Sequence, residues 1–455
     1  MGYGHQWIDD DDIAEVVRVL KGDWLSQGPT VEAFEKVLAE YTGVRHAVAY
    51  ANGTAALHGA MAAAGLRDGE RALTTPLTFV ATANAALYAG GEPVFADIDP
   101  DTLCMDPVRA EAKMQELPRR IKVIAPVSFA GYPFDMAPFR RMAERHGAVL
   151  IEDASHALGG DRGPRRVGAD ADMTTLSFHP VKHITTAEGG AVLTNDDEFD
   201  RRLRLFRNHG ITRDPAEFQD APDGPWHSEM QTLGYNDRLS DVACALGLSQ
   251  MRRLDAFVAR RRRIASLYRE LLSGVPGLTL PPDHEGHAWH LFVVQVGAER
   301  RAPLFARLAE EGFRLQVHYR PVPLQPYYRE RFGYREGDFP EAERYYKRAI
   351  SLPIFPLMED DDVLTPVGQD KLRRMARAIV AVEVSMDDVR GKAKMSQNRH
   401  PEDIRGLADE FERQGENRMA EFLRTVSLPY AEQRFSTLAR LREAKALGED
   451  MGSFH

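Results

Sequence analysis

Cysteine is nearly absent from this chain of 455 residues: Cys104 and Cys244 are the only two. That excludes a disulfide framework and a cysteine-rich metal site, and it leads to the expectation of a reducing, cytoplasmic setting. Long apolar runs are missing too. None approaches the ~20 residues needed to span a bilayer, and residues 1–12 hold neither a basic region nor an apolar stretch, so no secretory leader is expected. Positive charge is in deficit, with 58 Lys and Arg against 68 Asp and Glu and a net charge of -10, so neither nucleic acid nor an anionic membrane is an expected partner. Internal repeats and low-complexity tracts are absent. What is present is a soluble, globular composition, 43% hydrophobic and 28% charged, long enough for two or three domains.

The run Asp9-Asp10-Asp11-Asp12 is suggestive of a metal cluster, but no histidine or spaced carboxylate set accompanies it. Ile13, Val16, Val17 and Leu20 follow at helical spacing, so the aspartates are read as caps at the positive end of an amphipathic helix. Between about 45 and 195, short apolar runs alternate with helical stretches. The runs 94–98, 123–127, 149–153 and 174–178 read as buried strands, with Phe139, Met142 and Ala143 as a helical stripe between two of them. Such alternation predicts an α/β fold around a mostly parallel sheet, with ligands at the carboxyl ends of the strands. Asp153 and Ser177 fall at such ends. Residues 240–275 read as one long helix, in which Arg260-Arg261-Arg262-Arg263 is taken as a solvated face. A smaller α/β segment follows, with a strand over 291–296. Beyond 384 the texture becomes charged and helical: 385–400 reads as a linker, Ile404, Leu407, Ala408 and Phe411 form one stripe, Met419, Phe422, Leu423 and Val426 a second, and Pro401 and Pro429 mark helix starts. The expected division is a large domain at 1–260, a smaller domain at 261–384 and a helical tail at 385–455.

One loop carries the chemistry. In Ser177-Phe178-His179-Pro180-Val181-Lys182-His183-Ile184-Thr185-Thr186-Ala187-Glu188-Gly189-Gly190, a lysine lies five residues after a hydroxyl and seven before a glycine pair. A lysine in this setting can form a Schiff base with an aldehyde cofactor, pyridoxal 5'-phosphate (PLP). Such a cofactor needs a carboxylate at its pyridine nitrogen, a side chain against its ring and NH or hydroxyl donors at its phosphate. Asp153, 29 positions before Lys182, fits the first role and fits a capping role equally well. Gly53, Thr54 and Ala55, after Asn52, can open a helix toward a phosphate. Phe79 suits ring stacking or the core, and His156 suits either the ring oxygen or a structural place.

The order and spacing of these pieces resemble the DegT/DnrJ/EryC1/StrS sugar aminotransferases, of fold type I among PLP enzymes. The resemblance covers about 3–384. It rests on Trp24-Leu25-Ser26-Gln27-Gly28-Pro29, Gly53-Thr54-Ala55-Ala56-Leu57, Glu152-Asp153-Ala154-Ser155-His156, the lysine loop and Gly234-Tyr235-Asn236-Asp237-Arg238. It implies Lys182 as the Schiff-base lysine, Asp153 as the pyridinium partner, and Thr54, Ala55 and Ser177 at the phosphate. It also implies that Asn236 reaches the neighbouring subunit's cofactor in a homodimer with shared active sites. Within the family the lysine loop, Tyr3-Gly4-His5-Gln6-Trp7-Ile8 and His318-Tyr319 look most like the 4-aminotransferases of pseudaminic acid biosynthesis. Those move the amino group of glutamate to C4 of a UDP-linked 4-keto-6-deoxy-N-acetylhexosamine. By that likeness Tyr3, Trp24, Leu25, Ser26, His318 and Tyr319 are expected near the nucleotide sugar, and no metal is expected. The rival reading is the same chemistry on another nucleotide keto sugar, such as a dTDP-linked one. A desulfurase would need an active-site cysteine, and a 3-dehydratase relative would lack the lysine. A PLP-binding regulator or scaffold is the non-catalytic alternative. The tail departs from the family pattern, either as a partner-binding element or as a hairpin on the enzyme's own dimer.

Overall fold

The computed structural model describes residues 2–117, 121–358, 400–413, 417–429, 431–432 and 436. The chain divides into two compact units, 1–378 and 379–455. In the first, helices α1 (Asp10–Leu20) and α2 (Pro29–Thr42) precede strand β1 (His46–Tyr50) and helix α3 (Gly53–Ala63). Then come β2 (Arg71–Thr74), α4 (Val80–Tyr88), β3 (Glu92–Phe95), α5 (Pro107–Glu116), β4 (Ile121–Ala125), α6 (Ala137–His146) and β5 (Val149–Asp153). A short hairpin, β6 (Asp161–Arg162) and β7 (Arg165–Arg166), leads to β8 (Met173–Ser177), β9 (Gly190–Thr194) and α7 (Asp197–Arg207).

Seven strands form one sheet in the order β1-β9-β8-β5-β4-β2-β3. Every pair from β8 to β3 is parallel, while β9 runs antiparallel to both β1 and β8. This is the mostly parallel α/β sheet that the alternating pattern predicts. Its strands are apolar runs because helices cover both faces. Leu73, Ile124 and Leu150 join one core cluster, Ala49, Leu176 and Leu193 a second, and Val48, Val123 and Ile151 a third.

The aspartate run caps α1 as expected: the Asp9 carboxylate accepts from the Asp12 N–H, and Asp12 returns the bond to Asp9. The face of α1 that was expected to be core is turned outward, with Ile13 and Leu20 about half exposed. The buried residues are Val19 and Asp12, the latter paired with Arg253 and Gln250, so polar partners claim that side.

The long helix expected at 240–275 is two. Helix α8 (Asp241–Met251) stops at Arg252 and Arg253, and α9 (Leu254–Leu272) starts anew. The break lets Arg253 turn back onto Asp9 and Asp12. Helix α9 continues without interruption through residue 260, where a domain boundary was expected. The arginine run at 260–263 is not a solvated face: Arg261 is wholly buried and Arg262 pairs with Asp161.

Beyond α9, two antiparallel strands, Phe292–Gln295 and Ala349–Leu352, form a small separate sheet with the helix Ala298–Glu310 nearby in sequence. In the second unit the helices Pro401–Arg413 and Asn417–Phe422 bury Ile404, Ala408, Leu423 and Ala431 together. Pro401 begins the first of these helices, and Pro429 lies in helical backbone that resumes after a π-helical turn, Leu423–Ser427. Of the linker expected at 385–400, all but His400 lies outside the described residues.

Candidate active site

The site is assembled along one edge of the sheet. Strands β1, β9, β8 and β5 are consecutive, and β9 begins where the others end, with Gly190 opposite both Tyr50 and Ser177. Helix α3 therefore starts next to the end of β8. A Cβ on Gly53 would stand 2.9 Å from Ser177 Cβ and 3.1 Å from its hydroxyl, and one on Gly190 would meet the Asn52 carbonyl at 2.6 Å. Both positions must be glycine for the helix to approach the strands this closely. Asn52 caps α3 by accepting from the Ala55 N–H at 2.9 Å. Of the three residues expected at a phosphate, Ala55 thus already spends its N–H on the cap. The first two helical N–H groups, of Gly53 and Thr54, are left to point outward beside the Ser177 hydroxyl.

Lys182 lies in the connection between β8 and β9. That loop is closed on itself: Phe178 N–H donates to Gly189 O, Thr186 N–H to Phe178 O and Lys182 N–H to His179 O, at 2.8 to 3.0 Å. Burial lowers the lysine to about 8 from its ordinary 10.5; Asp153 opposes that fall and Arg261 adds to it. Asp153, at the end of β5, is buried. One oxygen accepts from the Thr82 hydroxyl at 2.7 Å, and the other from the Ser155 N–H at 3.1 Å. The second bond is the turn cap that the sequence allowed, so one side chain serves a local role while staying within electrostatic reach of Lys182. No basic side chain among the described residues forms an ion pair with it.

Histidines surround this pair. His156 and His290 have ring centroids 4.3 Å apart, and His183 lies 5.8 Å from His290. Burial holds all three well below the ordinary histidine value, and Lys182 pushes them the same way, so they are neutral at pH 7. His156 receives the Ala130 N–H on Nδ1 at 3.3 Å and faces the Tyr319 hydroxyl across 3.4 Å. The structural place that the sequence allowed for His156 is thus occupied on both nitrogens.

Tyr3, His318, Tyr319 and Phe79 stand together: Tyr3 packs on His318 at 4.8 Å, and Tyr319 on Phe79 at 6.0 Å. Phe79 is 55% exposed, which leaves its face open to a planar ring. Trp24, Leu25, Ser26 and Asn236 are not in that group. Ser26 bridges Ser240, Asn236 bridges Asn208, and all four are exposed. No described contact joins them to Lys182. A cleft of about 740 Å³, lined among others by Glu35, Arg207, Arg213 and Arg238, also lies apart from the lysine.

Three contributors escape sequence reading. Thr82, three residues after Phe79, carries no signal of its own, and only the fold shows that it holds Asp153. His290 and Arg261 come from distant segments; a run of four arginines next to apolar helix positions was the one available signal for Arg261. The cysteines take no part, since both are buried and free, and burial pushes the Cys104 thiol up to about 12. Cys104 stands in a turn after β3 and not in a strand.

The residues present fit PLP. Two helical N–H groups and a hydroxyl suit a phosphate, a buried carboxylate without a cation suits a pyridinium, and a lysine with a lowered proton affinity suits an aldehyde. The donor set does not suit a metal, and no cluster of metal-ligating side chains occurs among the described residues. No described helix is long and apolar enough to cross a membrane.

Comparison with known proteins agrees. Spore coat polysaccharide biosynthesis protein SpsC of Bacillus subtilis (strain 168) is 41% identical over 368 residues, 79% of this chain and 94% of that protein. The UDP-4-amino-4,6-dideoxy-N-acetyl-beta-L-altrosamine transaminase of Campylobacter jejuni (strain 81-176) is 39% identical over 356 residues, 77% of this chain and 91% of that one. The solved structure of Helicobacter pylori PseC, an aminotransferase involved in the biosynthesis of pseudoaminic acid, matches with TM-score 0.75 at 29% identity, covering 84% of this chain and 98% of that chain. The sequence pattern of DegT/DnrJ/EryC1/StrS aminotransferases matches residues 6–368, and the chain belongs to that family.

Proposed function

We propose that this aminotransferase binds PLP through Lys182 and moves the amino group of glutamate to C4 of a UDP-linked 4-keto-6-deoxy-N-acetylhexosamine, a step of pseudaminic acid biosynthesis. In this reading it acts in the cytoplasm as a homodimer whose subunits share active sites, Asn236 reaching across to the partner's cofactor. The observation that carries the proposal is Lys182 itself: its proton affinity is lowered by burial, and it lies within reach of a carboxylate that has no other cation.

The cofactor, when bound, supplies the carbonyl that carries the amino group and the ring that takes up the electron pair of the broken Cα–H bond. The chain's own residues do the rest. The Asp153 carboxylate, fixed by the Thr82 hydroxyl, would face the ring nitrogen and hold its proton. The Gly53 and Thr54 N–H groups and the Ser177 hydroxyl would hold the phosphate, with Ala55 serving as the capped third residue of the helix. Phe79 would cover the ring, and neutral His156 would reach the ring oxygen only by giving up its Tyr319 contact. The Lys182 Nζ, free while the amino acid is bound, would take the proton from the glutamate Cα and deliver it to the cofactor's C4′ carbon; in the second half-reaction it would take a proton from that carbon and deliver it to C4 of the keto sugar. One amine that is base and then acid needs an affinity near the working pH, as its value of about 8 provides. Tyr3, His318 and Tyr319 border the sugar, and Trp24, Leu25 and Ser26 border the nucleotide.

The same machinery serves any nucleotide-linked 4-keto sugar, and the likeness to DesI, solved in the presence of its TDP-sugar product, keeps a dTDP-linked substrate as the second reading. The test is to load the protein with glutamate and add UDP- and dTDP-linked 4-keto sugars one at a time. Return of the PLP absorption and formation of the amino sugar with the UDP-4-keto-6-deoxy-N-acetylhexosamine is expected. Turnover only with a dTDP sugar selects the second reading, and turnover with none favours a PLP-binding regulator or scaffold.

A further inference from the structure

Arg261, on helix α9, is wholly buried. Arginine almost never goes fully inside without a carboxylate. No Asp or Glu among the described residues pairs with this one. Nη1 donates to the carbonyls of Ile354, Trp289 and His290 at 2.8, 3.3 and 3.4 Å. Nη2 donates to those of Val181 and Lys182 at 3.3 and 3.4 Å, and Nε has no acceptor. Five neutral carbonyls from three distant segments thus satisfy a full positive charge without cancelling it. Two of them belong to the lysine loop, one to Lys182 itself.

We propose that Arg261 is a positioning residue for Lys182, a buried cation that fixes the lysine's main chain and sets a positive charge within reach of its amine at neutral pH. The proposal rests on Lys182 being the cofactor lysine. A carboxylate partner would serve the fold equally well by anchoring the guanidinium, but it would remove the field at the amine. Carbonyls do the anchoring and leave the field.

The surroundings make that field count. The groups facing Lys182 are Asp153 on β5, His156 after it, His179 and His183 in the loop itself, His290 beside Trp289, and His318 from the segment before the small sheet's second strand. Burial keeps the five histidines neutral, so Asp153 and Arg261 are the charges of opposite sign that act on the amine. Burial is the main reason that the amine falls to about 8, and Arg261 reinforces it against Asp153. Arg261 is itself pushed down to about 9 by burial, which leaves it charged at neutral pH.

The test follows Lys182 directly. In full-length protein freed of cofactor, the rate of acetylation at Lys182 is measured by peptide mass spectrometry across pH 6 to 11. Arg261→Met and Arg261→Gln remove the charge by two routes, so that one folded neutral variant suffices; circular dichroism checks the fold. Arg261→Lys keeps the charge and loses the planar fork. The labelling midpoint is expected to rise by about one pH unit in the neutral variants and to stay at the parent value in Arg261→Lys, which should nonetheless bind PLP more weakly. An unmoved midpoint in a folded neutral variant, or an equal shift in Arg261→Lys, overturns the proposal. Failure of the functional reading looks different: the parent protein would take up no PLP at Lys182, while the shift in the midpoint would persist.

Discussion

Glu152 and Asp153 are adjacent on β5, both buried, and as neighbours on a strand they face opposite sides of the sheet. Glu152 accepts from the Ser128 hydroxyl at 2.5 Å and is paired with Arg162, which also reaches Asp170 at 2.9 Å. Burial works against the Arg162 charge, yet the two carboxylates hold its proton affinity above the ordinary arginine value. Every charge in that network has its opposite. Asp153 has a hydroxyl and an N–H but no cation. A buried charge left unpaired is costly unless something arrives to meet it. The side of β5 that carries Glu152 is a closed structural network, and on the other side Asp153 has no ion-pair partner among the described residues, the charge that the proposed cofactor ring would supply. Arg261 is the mirror case, a buried cation with no carboxylate, and it too belongs to the lysine side.

The contrast can be broken from either face. The largest effect is expected from Lys182→Ala, which should abolish the PLP absorption and lower transamination by at least ~10²–10⁴-fold; a variant that keeps both would remove Lys182 from the reaction. Arg162→Met should destabilise the fold by about 3–5 kcal/mol, since Glu152 is left alone inside, and denaturant melts will read it. Asp153→Asn should do the reverse, slowing transamination and loosening PLP with little loss of stability; a large drop in the unfolding midpoint would make Asp153 structural like its neighbour. Thr82→Val should weaken PLP binding by roughly 10-fold, the worth of one hydrogen bond to a charged group, as measured by fluorescence titration. The smallest effect is a pH signature. Because the folded protein lowers Lys182 to about 8 from 10.5, the unfolded chain binds more protons between those values, and this group's contribution to stability rises with pH across that window. Cofactor-free Lys182→Met should therefore melt above the parent at pH 7, with the gap closing near pH 10. A gap that does not change with pH would mean that the amine is not desolvated.

Legibility followed locality. Four of the seven strands of the sheet, the cap on α1 and the lysine loop are short stretches whose residues act on their neighbours, and the sequence shows them within three residues. Long-range polar pairing is what it hides. Asp12 continues an exposed aspartate run yet is buried by Arg253, more than 200 positions on. The same pairing splits the helix expected at 240–275, and the arginine run 260–263 conceals one fully buried member. Apolar periodicity misread α1 for a related reason: Ile13 and Leu20 mark an amphipathic face but not which side meets the rest of the chain.

Residue types and their order determine that this chain builds an α/β sheet and carries a candidate Schiff-base lysine in one of its loops, since propensity, spacing and the chemistry of an amine are local properties. Which charges are compensated is decided only when the chain closes. Burial removes water, and the partner that replaces it, Arg162 for Glu152 or none for Asp153, comes from wherever the fold brings it. That choice makes one carboxylate a strut and its neighbour a candidate for catalysis.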